Sequence, residues 1–355
     1  MLALFYIFIA VAVALGIWQV NKLLSFTKKT ITNDKNESVT AYIVGEENPI
    51  ATEKNNDLHG KFFLAFLIGF YILMGYCLFF LNDIMLPESA SIEGENDDNL
   101  FLISFILIGI VQFATQALLF GFSYKYRGVN DRKALFYADS HKLELIWTTI
   151  PTIVLTGLIG YGLYTWNTVM DLSDVEDPIL IEVYAKQFSW EARYAGADKT
   201  LGRGDVRNIQ GINTMGVDLK DPNGADDVPV RELHLPVGRK VVFKFRSQDV
   251  LHSAYMPHFR AQMNCVPGMV TEFGFTPKFT TEQMRLQDET VIKVDGINKI
   301  RKEKGEDPYV FDFLLLCNKI CGASHYNMQM KIVVEEEAAF NSWLKEQPTL
   351  AELVK

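Results

Sequence analysis

Histidine and cysteine are scarce in this chain, with six of the first and four of the second among 355 residues. No Cys-x-x-Cys-His run occurs, so the sequence offers no attachment motif for a c-type haem. Six histidines are also too few for a His-rich cluster beside a first metal site. The stretch 25–60 is polar and poor in aromatics and reads as a linker without a function of its own. Residues 82–100 contain no Lys or Arg at all. No positive residue precedes the first apolar run, so Ala10-Val-Ala12 and Ala12-Val-Ala14 do not read as signal-peptide cleavage sites, and the run is expected to be retained.

What the chain has is unevenly spread. Hydrophobic residues make up 49% of it and crowd into the first 168 positions. Four runs approach the roughly 20 residues that cross a bilayer. They predict transmembrane helices over 1–24, 61–82, 101–123 and 145–169, joined by the linker 25–60, an outer loop 83–100 and a loop 124–144. Lys22, Lys28, Lys29, Lys35 and Lys54 lie in the first connection, and Lys125, Arg127, Arg132, Lys133 and Lys142 in the third. Positively charged loops stay in the cytoplasm. The N-terminus and everything after Val169 are therefore expected on the outer, periplasm-like face. Cys77, in the second run, reads as helix packing.

Beyond Val169 the apolar period shortens to two in Ile179-Leu-Ile-Glu-Val-Tyr184, Arg231-Glu-Leu-His-Leu235, Lys240-Val-Val-Phe-Lys-Phe245 and Lys331-Ile-Val-Val334. Alternating runs bounded by Pro, Gly and Asp predict strands, and several of them imply a sandwich or Greek-key barrel. A charged excursion at about 278–308, with a helix that Gly305 stops, reads as a surface insertion. Glu335 to Leu344 reads as an amphipathic helix that packs Phe340 and Trp343. This part carries 28 acidic against 23 basic residues, a net of −5. Such a bias favours a basic partner, although a solvated acidic surface explains it equally.

The densest chemistry is Cys317-Asn-Lys-Ile-Cys321-Gly-Ala-Ser-His325-Tyr-Asn-Met328. Two thiolates, an imidazole and a thioether are soft and borderline donors that suit copper rather than magnesium or calcium. A mononuclear blue-copper site needs one Cys. Two suggest a pair of coppers bridged by both sulfurs, provided a second His arrives; His252, in Asp249-Val-Leu-His252-Ser253-Ala-Tyr-Met-Pro257, is the candidate. A disulfide is the alternative for the Cys pair alone, and zinc would accept Cys2His2 but leave Met328 without a role.

C-x-x-x-C-G-x-x-H-x-x-M preceded by D-V-x-H-S-x-x-x-P resembles the CuA site of cytochrome c oxidase subunit 2. The resemblance implies a cupredoxin-like sandwich over 170–355. It implies a binuclear copper centre on His252, Cys317, Cys321, His325, Met328 and the backbone carbonyl of Lys319. It further implies that a cytochrome c type donor delivers electrons, which pass to haem and CuB in subunit 1 for reduction of oxygen to water with proton translocation. The expected setting is a bacterial inner membrane, with other oxidase subunits or a larger supercomplex as partners and no nucleic acid. Lys142-Leu-Glu144-Leu-Ile-Trp147 resembles the start of the family's second transmembrane helix, which implies that Glu144 lies near a proton-channel entrance of subunit 1; a solvated boundary carboxylate is the open alternative.

Three departures from the family pattern bear on function. Where the family reads Gln-Trp-x-Trp, this chain has Gln187-Phe188-Ser189-Trp190, so electron entry is expected to pass to Trp190 or to an aromatic of a partner chain, with Phe188 the poorer surface relay. Asn264 and Met269 replace the family's Asp and Arg around the Pro267-Gly268 turn, and Cys265 reads as a packed thiol. Lys319 stands where the family has a magnesium-binding Glu, so this chain is expected to contribute no magnesium ligand. The competing function is a membrane-tethered Sco-like copper chaperone, which also uses Cys-x3-Cys and a distant His. Its members usually have Pro after the second Cys and one membrane anchor, whereas Gly322 and four apolar runs stand here.

Overall fold

The computed structural model describes residues 14, 17, 18, 21, 53–81, 86–129, 135, 137–173 and 175–355. The expected helix over 1–24 lies outside the described residues except at those four positions, which are helical, and the linker 25–60 lies outside them up to residue 52. Among the described residues, three helices are long and apolar enough to cross a membrane: α1 (Glu53–Phe80), α2 (Ile92–Lys125) and α3 (His141–Met170). Their apolar side chains are largely exposed, as at Phe79 and Ile153, which is what a lipid solvent favours.

All three helices start earlier than hydropathy predicts, α1 at Glu53, α2 at Ile92 and α3 at His141. Helix propagation needs only backbone hydrogen bonds, so polar turns extend it past the apolar span. For α2 the Ser91 hydroxyl accepts the Gly94 N–H at 3.0 Å as a cap, and Glu93 and Glu95 stand at the positive end of the helix dipole. Contacts divide the chain into two compact units. Within the first, Arg127 pairs with Asp57 at 2.9 Å. The second comprises Leu67–Leu118 and Leu135–Lys355.

In that second unit the chain after α3 folds into two five-stranded sheets. The first has the order β3-β2-β1-β5-β8 and the second β4-β10-β9-β6-β7. The strands are β1 (Ile179–Lys186), β2 (Ser189–Tyr194), β3 (Val228–Val230), β4 (Leu233–Pro236), β5 (Val241–Ser247), β6 (His252–Met256), β7 (Ala261–Cys265), β8 (Thr271–Phe275), β9 (Phe313–Cys317) and β10 (Gln329–Glu335). β1 runs parallel to β5 and β4 parallel to β10, while all other named pairs are antiparallel. This is the cupredoxin-like sandwich that the sequence resemblance implies. Alternation buries Ile181 and Val183, Phe243 and Phe245, and Phe313 and Leu315 between the sheets.

The excursion before β9 holds the helices α4 (Thr281–Arg285) and α5 (Asp288–Lys304), the latter closed by Gly305 at φ 71°. The helix after β10, α6 (Glu337–Glu346), buries Phe340 fully and stacks Trp343 on His234 with centroids 3.9 Å apart. The first turns of α2 bind the sandwich through ion pairs: Glu93 to Lys240 at 2.7 Å, Glu95 to Lys278 at 2.9 Å and Asp98 to Arg260 at 2.7 Å. Arg260 closes the 3-10 turn Pro257–Phe259 that follows β6, so the strand that begins with His252 is tied through that turn to the top of a membrane-length helix.

Candidate metal centre

β6 begins at His252 and β9 ends at Cys317, and the two strands pair with Ala254 opposite Cys317. The neighbouring bonds close the loop on itself. Cys317 N–H donates to the Met328 carbonyl at 3.1 Å and Asn318 N–H to the Ser253 carbonyl at 2.9 Å. The loop 318–328 therefore folds back over the strand ends instead of extending into solvent.

The side chains converge in two linked pairs. Cys317 Sγ lies 3.8 Å from His252 Nδ1, and Cys321 Sγ lies 3.7 Å from His325 Nδ1. The two sulfurs are 3.9 Å apart. Met328 Sδ is 3.8 Å from Cys321 Sγ, and the Lys319 carbonyl oxygen is 3.2 Å from Cys317 Sγ. Atoms sharing one metal through bonds of about 2.0–2.3 Å lie roughly 3.3–3.8 Å from one another in tetrahedral geometry. His252, Cys317 and Cys321 thus lie close enough together to ligate one metal ion, and His325 and Met328 add donors beside Cys321. Each sulfur has its own imidazole and both share the S–S edge, so the set divides into two ends around a common pair of sulfurs.

Burial surrounds this set. His252 is fully buried and Cys321 and Met328 are nearly so. Burial pushes the Cys321 thiol up to about 11, and the adjacent Cys317 adds to the rise, so metal uptake there displaces protons. Asp249 Oδ1 meets His252 Nε2 at 2.8 Å, which turns Nδ1 toward Cys317. Desolvation alone would raise the Asp249 carboxyl. Hydrogen bonds from the Gln187 N–H and His252 hold it below the usual carboxylate range. Cys265, cross-strand from His252, is a buried free thiol pushed up to about 12 by desolvation.

All six sequence-identified donors come together. The remaining site residues separate. Trp190 is buried, with its ring edge-on to His252, whereas Phe188 is 36% exposed above the metal loop. Of the two aromatics, Phe188 thus lies at the surface and Trp190 one layer beneath it. Glu144 sits in the first turn of α3 beside His141 at 3.4 Å. At ~1.5 Å per residue that is about 39 Å of helix from the sandwich end. Asp249 and Gln187 have contacts that sequence reasoning missed. Asp249, three residues before His252, was the available signal for the first; nothing pointed to the second.

Comparison with known proteins follows the same lines. The family described as "Cytochrome C oxidase subunit II, transmembrane domain" matches residues 76–163, from the end of α1 into α3. The "Alternative cytochrome c oxidase subunit 2" of Bradyrhizobium diazoefficiens is 34% identical over 259 residues, covering 72% of this chain and 82% of that protein. The cytochrome c oxidase subunit 2 of Alkalihalophilus pseudofirmus is 25% identical over 267 residues, covering 71% of this chain and 60% of that one. Among solved structures, the periplasmic domain of subunit II of cytochrome oxidase (CoxB) of Bradyrhizobium japonicum is 20% identical and covers 50% of this chain and 94% of itself, with a TM-score of 0.30.

Proposed function

Because the chain belongs to the cytochrome c oxidase subunit 2 family, we propose that it is the subunit through which electrons reach a respiratory haem-copper oxidase. The observation that carries the reading is the convergence of two sulfurs, two imidazoles, a thioether and a carbonyl at the joined ends of β6 and β9. Cys317, Cys321, His252, His325, Met328 and the Lys319 carbonyl would together hold a pair of copper ions. Copper bound there supplies a one-electron acceptor and donor.

The chain's own residues supply the rest. Asp249 fixes the imidazole of His252, and Trp190 with the sandwich core keeps water from its inner side. Phe188 and Trp190 offer an aromatic path from the surface to His252. A cytochrome c type protein is the proposed donor. Haem and CuB in subunit 1 would take the electrons on for oxygen reduction and proton translocation, with Glu144 near the mouth of a proton channel there.

The basic connections on either side of α1 and α2 favour a bacterial inner membrane with the sandwich on the periplasmic face. Lys319 presents an ammonium, which has no acceptor, so its side chain contributes no ligand to a magnesium ion at the subunit interface. The test is a visible and EPR spectrum of the copper-loaded chain. A delocalised mixed-valence pair is expected; one localised copper that passes readily to an acceptor protein would instead mark a chaperone.

A further inference from the structure

Gln187 occupies the turn between β1 and β2, in the sheet opposite the one that carries the metal donors. Its side-chain amide nevertheless donates to the Cys321 carbonyl, across 134 residues of sequence. Its backbone N–H donates to Asp249 Oδ2 at 2.7 Å. The other Asp249 oxygen meets His252 Nε2 at 2.8 Å and accepts the Val250 N–H at 2.7 Å. An unbroken hydrogen-bonded path thus runs from His252 through Asp249 and Gln187 to Cys321. It joins two donor segments that β6 and the loop after β9 deliver separately.

The turn is itself held down. Lys186 and Ser189 pair across it, and Lys186 Nζ bonds Glu191 Oε1 at 2.7 Å. Below it, Gly322 has φ 145°, a conformation that glycine tolerates and other residues resist. A Cβ at that position would come within 2.8 Å of the Phe188 ring and 2.9 Å of Gln187 Nε2. Gly322 thereby admits a two-residue strap, Gln187-Phe188, flat against the metal loop.

We infer that Gln187 is a positioning residue that locks the His252 end of the centre to the Cys321 end, an inference that rests on the copper reading above. It touches no donor atom. It fixes the backbone of one donor and the carboxylate that orients another, so the spacing of the two ends is held by a third segment of chain. Electron transfer with little rearrangement needs ligands that stay in place, and hydrogen bonds outside the ligand set provide that constraint. Removing the amide donor would also leave the carbonyl of the buried Cys321 without its partner.

The experiment uses the full chain in detergent, loaded with copper, as parent, Gln187→Leu, Gln187→Glu and Gly322→Ala. Gln187 is exposed, so the first two leave the core intact. Both lose the amide donor and are expected to release copper to excess EDTA about 10–100-fold faster than parent, with an altered copper hyperfine pattern. Gly322→Ala lifts the strap and is expected to act in the same direction, without adding to Gln187→Leu. In the metal-free chains, amide hydrogen exchange across 321–328 is expected to quicken in the same variants. Parent-like release, spectrum and exchange in both Gln187 variants would overturn the inference. Failure of the parent to bind paired copper would contradict the copper reading instead, and the metal-free exchange would still decide whether the strap holds the loop.

Discussion

The Trp190 ring meets the His252 imidazole edge-on, with centroids 6.1 Å apart and planes at 62°. Its indole N–H points the other way, donating to the Met328 carbonyl at 3.4 Å. One side chain, 4% exposed, therefore touches two residues of the donor set from inside the sandwich. Trp190 is expected to carry electrons onward from Phe188 rather than to meet a partner protein itself. Trp190→Phe keeps an aromatic ring and loses the indole donor. Rapid mixing with reduced cytochrome c should show slower electron delivery by several-fold with copper retained; an unchanged rate removes Trp190 from the path.

Lys319 separates two roles that one residue can hold. Its carbonyl lies 3.2 Å from Cys317 Sγ while its side chain is exposed. Lys319→Ala should leave copper content and spectrum as in the parent, because only its backbone carbonyl faces the donor set. In the purified oxidase, metal analysis and a high-resolution map should show any interface magnesium held without the 319 side chain; a bond from Lys319 Nζ to that ion would contradict this.

A buried charge network supports the strand that carries Trp190. Arg193, 1% exposed, donates to Asp227, to Glu182 Oε2 at 2.7 Å and to the Gly202 carbonyl at 2.6 Å. Removing the cation strands two carboxylates inside the protein. Arg193→Met should cost about 3–5 kcal/mol, read as a lower melting temperature by near-UV circular dichroism of the full chain in detergent. Adding Glu182→Gln and Asp227→Asn should recover much of the loss, and no recovery would mean that Arg193 acts through packing alone.

Acid sensitivity should arise at His258, which packs edge-on against Phe311 and Phe313. Burial pushes its imidazole down to about 4, and Arg260 and Lys293 act in the same direction against Glu289. The unfolded chain protonates this group near 6.5. Stability is therefore full above about pH 6.5 and is lost as pH falls toward 4, by about 2 kcal/mol after discounting for partial exposure. His258→Gln should flatten the melting profile across that window. A variant with the parent's slope would assign the acid sensitivity elsewhere.

Much of the donor set was legible because eleven residues of spacing separate Cys317 from Met328 and the distant His252 sits in its own short motif. β1, β4, β5 and β10 were visible from alternation. β9 reads Phe313-Leu-Leu-Leu-Cys317, a continuous apolar run, and β7 reads Ala261-Gln-Met-Asn-Cys265, too polar to stand out, so neither announces a strand. The burial of Trp190 was in principle readable, since Trp190, Ala192 and Tyr194 share one face of β2. The contact from Gln187 to Cys321 was not, because it depends on how two sheets are laid together. Helix ends moved outward because hydropathy marks the apolar span and not the polar turns that continue it.

The most direct test of the account is copper stoichiometry and EPR on the full chain, loaded and then oxidised by one electron per site, with Cys317→Ser and Cys321→Ser alongside. The account predicts two coppers per chain sharing one unpaired electron equally, and loss of that signal in either Cys variant, since both sulfurs are proposed to hold the pair. A single localised copper in the parent, or an unchanged mixed-valence signal in either variant, would contradict it.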